Sequence, residues 1–330
     1  MTRYDPAVPS VVFFGMNGPF STTILRALSA AQLAPVLVVE GLEKEKGSRG
    51  PKVSFVRARP GFFGRIFSRQ KLDPNALVVT EAGDRLADVC LQLGIDLVRT
   101  DDPAALRVRA RIHAVEPETF VVAGFPCLLP PLVLDLARRG GLNLHPGRLP
   151  EERGPSPLFW ALKAGRKQIG WTVHVLDEGE DTGDIVATGE IELVPGMDGQ
   201  AILKRCAQAA APELVRAVRG LLAGDLVRIR QPKEGARRPR PKLADGQIDP
   251  EASALDVYTF VAACGRSYSV FVESGGDRFY VRRAVSYDLE ATLPSEYVLS
   301  GDQLLLRCNP GIVELELAPD GAIFCGVSAE

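Results

Sequence analysis

Short apolar runs, each followed by a loop and a stretch of helical spacing, set the rhythm of the first half of the chain. Residues 10–15 (SVVFFG) are almost wholly apolar and end in glycine, the pattern of a strand buried on both faces. After a glycine-containing loop, Ile24, Leu25 and Leu28 recur at helical intervals over residues 21–31, with Ser21 or Thr22 placed to cap. PVLVVE at 35–40 is a second buried strand. Strand, loop, helix, strand opens a doubly wound parallel sheet. The same logic predicts a strand at 76–79, helices at 84–93 and 104–115, and a strand at 119–123. Pro130-Pro131 starts a helix running to Arg139, and a strand follows at 142–144. Then come a helix at 156–164, strands at 170–176 and 185–193, and a long amphipathic helix at 200–222.

The texture changes at QPKEGARRPRPK, residues 231–242, a Pro-rich basic stretch that reads as a solvated connector. Beyond it the pattern predicts a helix at 249–263 and short strands at 268–273, 278–284, 303–308 and 313–317. The expected architecture is therefore α/β, with a Rossmann-like, doubly wound, mostly parallel sheet over 1–230. A linker at 231–245 and a smaller β-rich, open-barrel-like domain over 246–330 complete it.

With 330 residues, 46% of them hydrophobic, the chain can build a sizeable core, and disorder is not the default. A net charge of −2 argues against a nucleic-acid binder, although a local basic patch is compatible with it. Neither a signal peptide nor an apolar run of membrane-spanning length is visible, so a cytoplasmic protein is expected. The six cysteines (Cys90, Cys127, Cys206, Cys264, Cys308, Cys325) show no metal-binding spacing and read as buried thiols in a reducing compartment. Residues 57–71 mix cations with Phe62, Phe63 and Phe67. This suits an amphipathic lid packed on its aromatic side, or a segment facing an acidic acceptor. The loop Gly15-Met16-Asn17-Gly18 lacks the dinucleotide fingerprint.

Candidate chemistry concentrates between Gly141 and Asp184. Asn143 and His145 stand at the carboxyl end of a predicted strand, where open parallel sheets place their ligands, and Asp181 follows in a Gly-flanked acidic turn. An amide, an imidazole and a carboxylate suit acyl transfer to an amine: the first can donate to an oxyanion, the others can manage protons. Phe159 and Trp160 read as core, His113 as exposed, and His174 as a satisfied structural histidine on an alternating strand.

Three motifs in order, Asn143-Leu144-His145-Pro146, Leu149-Pro150-Glu151-Glu152-Arg153-Gly154 and Asp181-Thr182-Gly183-Asp184, resemble the family of formyltransferases that use 10-formyltetrahydrofolate to formylate amines. The resemblance covers roughly residues 10–230 well. It implies catalytic roles for Asn143, His145 and Asp181, with His145 protonated and held so by Asp181. It implies a pterin site along Gly124, Phe125, Cys127, Leu128 and Leu129 and the turn of Asp177, Glu178 and Gly179. An acceptor pocket near Gly15, Met16, Asn17 and Arg153 is implied too. The donor is then 10-formyltetrahydrofolate, and no metal is required. The implied acceptor is a small amine on a nucleotide-linked amino sugar or of the hydroxyornithine type, with a homodimer left open. Methionyl-tRNA formyltransferase is the alternative, and a non-catalytic folate- or ligand-binding relative is the alternative of another class. Two departures stand out: Gly147 occupies a place where many relatives carry Ser, and Pro250 replaces an expected aromatic in the entry sequence Asp245-Gly246-Gln247-Ile248-Asp249.

Overall fold

The computed structural model describes residues 9–44, 50–58, 85–232, 235 and 237–318. The strand expected at 76–79, most of the basic aromatic stretch 57–71, and Cys325 lie outside the described residues. The chain divides into two compact units. One takes the described residues of Met1–Arg153, Gly170–Glu190 and Lys204–Gly235, the other those of Gly154–Ile169, Ile191–Leu203 and Ala236–Glu330. The units thus do not part at residue 230 as the linker composition suggested: two stretches from the middle of the chain group with the C-terminal residues.

The first unit is built on an eight-stranded sheet. Its strands are β1 (Val11–Gly15), β2 (Leu37–Gly41), β3 (Val53–Val56), β4 (Asp96–Thr100), β5 (Thr119–Ala123), β6 (Gly141–His145), β7 (Gln168–Val175) and β8 (Ile185–Glu192). They lie in the order β3-β4-β2-β1-β5-β6-β7-β8. The pairings from β4 through β2, β1 and β5 to β6 are parallel, while β3 and β7 run antiparallel to β4 and β6. Helices α1 (Pro19–Ala30), α2 (Leu86–Leu93), α3 (Leu106–His113) and α4 (Pro131–Leu134) connect the parallel strands. The core is the apolar content of those strands: Val12, Phe14, Leu37, Val39, Val98, Phe120 and Val122, met by Val108 and Ile112 of α3 and Val133 of α4. Phe14 anchors it through edge-to-face contacts with Phe120 at 5.0 Å and Phe125 at 5.4 Å between ring centroids.

The sequence pattern missed β4 because its residues DLVRT look half polar. Both charges are neutralised locally. Arg99 donates through Nε to buried Glu40 at 2.7 Å, and Asp96 pairs with Arg111 at 2.5 Å. The helix begun at Pro131 also ends sooner than expected, at Leu134, giving way to turns before Gly140 adopts φ 71°.

In the second unit, α5 (Pro157–Lys163) meets α7 (Ala254–Cys264), and α6 (Gly199–Ala223) begins there and ends in the first unit. Strands β9 (Val270–Ser274), β10 (Asp277–Asp288), β11 (Tyr297–Ser300), β12 (Gln303–Arg307) and β13 (Ile312–Leu317) form an antiparallel sheet in the order β11-β12-β13-β10-β9. Register shifts along β10, between Val281 and Arg283 and again between Ala284 and Ser286, bend the long strand and curl the sheet into a half-barrel. Phe159 packs against Phe260 at 5.5 Å and Tyr268 at 4.7 Å, as core residues do. Trp160 differs from the core reading: it is half-buried, its Nε1–H donates to the Pro239 carbonyl at 2.8 Å, and Arg238 lies over its ring.

Phe120 is fully buried between Phe14 and the helical layer. Phe120→Ala should lower unfolding stability by about 3–5 kcal/mol, read from the urea midpoint of the folded protein. An unshifted midpoint would mean that the β1–β5 aromatic contact does not hold the sheet together.

Candidate active site

The carboxyl ends of β1, β5 and β6 lie side by side, and the chain leaves each through a turn. Asn143 and His145 both sit on β6. Its antiparallel neighbour β7 places His174 directly opposite Asn143, and Thr172 opposite His145. After β7 the chain turns back through residues 177–184, and the Val175 N–H closes the turn on the Asp184 carbonyl at 2.9 Å. Within it Asp181 takes the left-handed conformation, φ 56°. Such a backbone is uncommon for a non-glycine residue, and Asp tolerates it better than most.

These elements bring four side chains together. Asp181 Oδ1 lies 3.5 Å from His145 Nδ1, 3.5 Å from His174 Nε2 and 3.3 Å from Asn143 Nδ2. Asn143 Nδ2 also donates to His174 Nε2 at 2.9 Å. The far nitrogen of each imidazole faces a backbone carbonyl: His145 Nε2 meets the Glu152 oxygen at 2.7 Å, and His174 Nδ1 the Val175 oxygen at 2.9 Å. A carbonyl only accepts, so both those nitrogens carry hydrogen. The nitrogens that face Asp181 are therefore the ones left with lone pairs in neutral imidazoles. The Asn143 amide has its nitrogen toward the carboxylate, since its oxygen there would oppose another acceptor.

His145 is only 4% exposed. Loss of hydration pulls its imidazole below the ordinary histidine range, and the Asp181 carboxylate and the Glu152 carbonyl only partly offset that. The expectation of a protonated His145 held by Asp181 is corrected accordingly: burial favours the neutral ring. His174, read from sequence as structural, is the functional candidate that the pattern missed. Its position opposite Asn143 depends on the β6–β7 register, which alternation alone does not reveal.

Other expected site residues are placed less uniformly. Gly15, Met16 and Asn17 do line the end of β1. Asn17 is fixed, however, donating to Glu40 at 2.8 Å and accepting from the Leu86 N–H at 2.9 Å at the start of α2. Gly124, Phe125, Cys127 and Leu128 form the turn after β5, with Cys127 and Leu128 exposed. Leu129 belongs to the hydrophobic core, so it cannot offer a free face to a ring. Asp177 closes the acidic turn, accepting from the Gly179 N–H at 3.1 Å and the Thr182 hydroxyl at 2.8 Å; Glu178 is exposed beside it. Arg153 is 6% exposed and faces Gln231, not a surface pocket. Gln231 itself is 7% exposed, so the linker does not begin as a solvated connector. Of the five described cysteines four are buried, but Cys127 is exposed, contrary to the uniform reading of the thiols. His113 is exposed as expected.

A protein-family model described as formyl transferase matches residues 23–218. The chain belongs to that family. A methionyl-tRNA formyltransferase of Acidobacterium capsulatum is 30% identical over 218 residues, covering 64% of this chain and 70% of the relative. In fold, the chain is similar to an N-formyltransferase from Helicobacter canadensis in complex with folinic acid and dTDP-3-aminofucose. The TM-score is 0.61 at 9% identity, over 94% of this chain and 99% of that one. HypX from Aquifex aeolicus in complex with tetrahydrofolic acid gives 0.59 at 16% identity, over 94% of this chain and 44% of that one, so this chain spans less than half of HypX. The family and its relatives make the protein an enzyme of formyl transfer to an amine. Among the described residues no cluster of side chains could hold a metal ion, and no helix is long and apolar enough to cross a membrane.

His145 titrates below its unfolded value, so the folded state resists its protonation. Its contribution to stability is whole above the ordinary histidine pKa and is lost as pH falls below it. The loss of Tm between pH 7 and pH 5 should therefore be smaller in His145→Gln than in the parent. Equal losses would mean that His145 titrates in the folded state as it does in the unfolded chain.

Proposed function

We propose that the protein is a 10-formyltetrahydrofolate-dependent N-formyltransferase whose catalytic groups are Asn143, His145 and Asp181, with His174 as a fourth member. The observation that carries this reading is the convergence of two buried imidazole nitrogens and an amide on one Asp181 oxygen. The donor supplies an activated formyl group. The residues around its expected place suit a flat, partly apolar ring: Leu128 is 53% exposed at the carboxyl edge of the sheet, beside the glycine turn at Gly124.

The attacking amine must arrive neutral and lose a proton as its bond to the formyl carbon forms. Asp181 and the His145 Nδ1 lone pair accept that proton. His145 becomes charged only then, beside a carboxylate, when negative charge is building on the formyl oxygen. The Asn143 amide turns one N–H from His174 to that oxygen. The stored proton returns to the departing nitrogen, which leaves the site as it began.

Asp181→Asn should fold and bind 5-formyltetrahydrofolate yet lose about 10²–10⁴-fold in kcat, and Asn143→Ala about 10²–10³-fold. Full turnover by folded Asp181→Asn would remove the base from the mechanism.

For the acceptor we favour a small amine, an amino sugar nucleotide or a hydroxyornithine-type amine, over a charged tRNA. The net charge of −2 supports it, as does the likeness in fold to an N-formyltransferase in complex with dTDP-3-aminofucose. The second reading, methionyl-tRNA, is supported by the names of the sequence relatives and by Arg237, Arg238 and Arg240 in the linker. A mass-spectrometric screen of amines and charged initiator tRNA separates them. Formylation of a small acceptor should vary little with salt. A duplex RNA substrate would lose affinity by about 0.9 log unit per log unit of salt for each phosphate neutralised. Efficient, steeply salt-dependent tRNA formylation that fails when the three arginines are replaced by Ala would overturn the small-acceptor reading.

A further inference from the structure

Two buried side chains hold the Asp181 turn from the side away from the imidazoles. Gln231 donates through Nε2 to the backbone carbonyls of Asp181 at 3.0 Å and Gly183 at 2.6 Å. Its Oε1 accepts from Arg153 Nε at 3.2 Å and Nη2 at 2.8 Å. Arg153 Nη2 also donates to the Pro232 carbonyl at 2.8 Å. The direction of the Gln231 carboxamide is forced. Carbonyl oxygens only accept and a guanidinium only donates, so a flipped amide would lose its donors to the turn and its acceptor to Arg153. Both side chains are more than nine-tenths buried, where an unmade hydrogen bond costs about 1–3 kcal/mol.

The turn needs such a hold. A non-glycine residue in the left-handed region carries roughly 1–2 kcal/mol of strain, and it persists only where its surroundings over-determine it. Gln231 grips the carbonyl of Asp181 itself and that of the residue two further on, so it fixes the peptide planes that aim the carboxylate. The segment closes tightly over the guanidinium: a Cβ at Gly235, whose φ is 146°, would lie 2.7 Å from the Pro150 carbonyl oxygen and 3.3 Å from Arg153 Nη1.

We propose that Arg153 and Gln231 are positioning residues for formyl transfer, a guanidinium–carboxamide latch that sets the Asp181 turn so that its carboxylate stands between His145 and His174. This rests on the reading of Asp181 as proton acceptor. The latch gives two stretches known only as motif and linker a joint task in catalysis. Both side chains are buried behind the turn.

The test is Gln231→Met, similar in size and unable to make these bonds, in the full chain. A misplaced carboxylate should lower kcat about 10–100-fold while KM for the acceptor and Kd for 5-formyltetrahydrofolate change less than about threefold. In the Asp181→Asn background the same replacement should change the residual rate by less than about twofold, because its route to the chemistry is gone. Parental kcat in folded Gln231→Met overturns the latch, as does an equal loss in both backgrounds. Arg153→Lys, which keeps the charge and loses the fork, is read the same way; if neither variant folds, the pair belongs to the fold alone and the proposal fails. Full activity of Asp181→Asn is a separate result that removes the base and the latch together.

Discussion

A single carboxylate oxygen, held where little water reaches it, organises the side chains gathered at the end of β6. Asp181 Oδ1 accepts from one amide N–H and stands 3.5 Å from two ring nitrogens whose imidazole hydrogens are claimed elsewhere by backbone carbonyls. That arrangement fixes tautomers, amide orientation and the direction in which a proton can move. It depends on pairing two strands from different parts of the chain in one register, and on bending the following turn through a backbone conformation that most residues avoid. The parallel sheet beneath supplies rigidity. Its central strands β1 and β5 are buried along their whole length.

Much of this was legible in the sequence because the legible features are local. SVVFFG and TFVVA are buried on both faces and read as such. Asn143, His145 and Asp181 stand at recognisable spacings, and their convergence in space follows from strands that the pattern already placed. What escaped notice depends on partners distant in sequence. The strand at β4 hides because Asp96 and Arg99 look solvated until Arg111 and Glu40 are brought to them. β3 and β11 are short strands at sheet edges, each with two or more exposed positions, and they carry no clear alternation. His174 looked structural because its neighbours on the strand are apolar. Gln231 was lost inside a Pro-rich basic run whose average character is that of a connector.

The division into units teaches a related point. Composition marks where a chain becomes polar and Pro-rich, not where its contacts cease. Phe159 packs with Phe260 and Tyr268, so a helix from the middle of the sequence belongs with the C-terminal sheet. The stretch 170–190 returns to the first unit because β7 must pair with β6 to present His174. A cut at residue 230 would divide these groups, leaving apolar faces bare on both pieces.

The exposed thiol of Cys127 has a consequence for how the protein can be observed. The other four described cysteines are buried, three with thiols pushed up to about 12 and Cys264 pushed up as well. Cys127 is accessible, yet partial desolvation and nearby Asp102 push it up to about 11. At neutral pH only about one molecule in 10⁴ then carries the thiolate there, against a few per cent for an ordinary cysteine. Among the described thiols it is the one open to alkylation, and mildly alkaline buffer sets its rate. Among the described thiols, a label at Cys127 would report on the turn after β5.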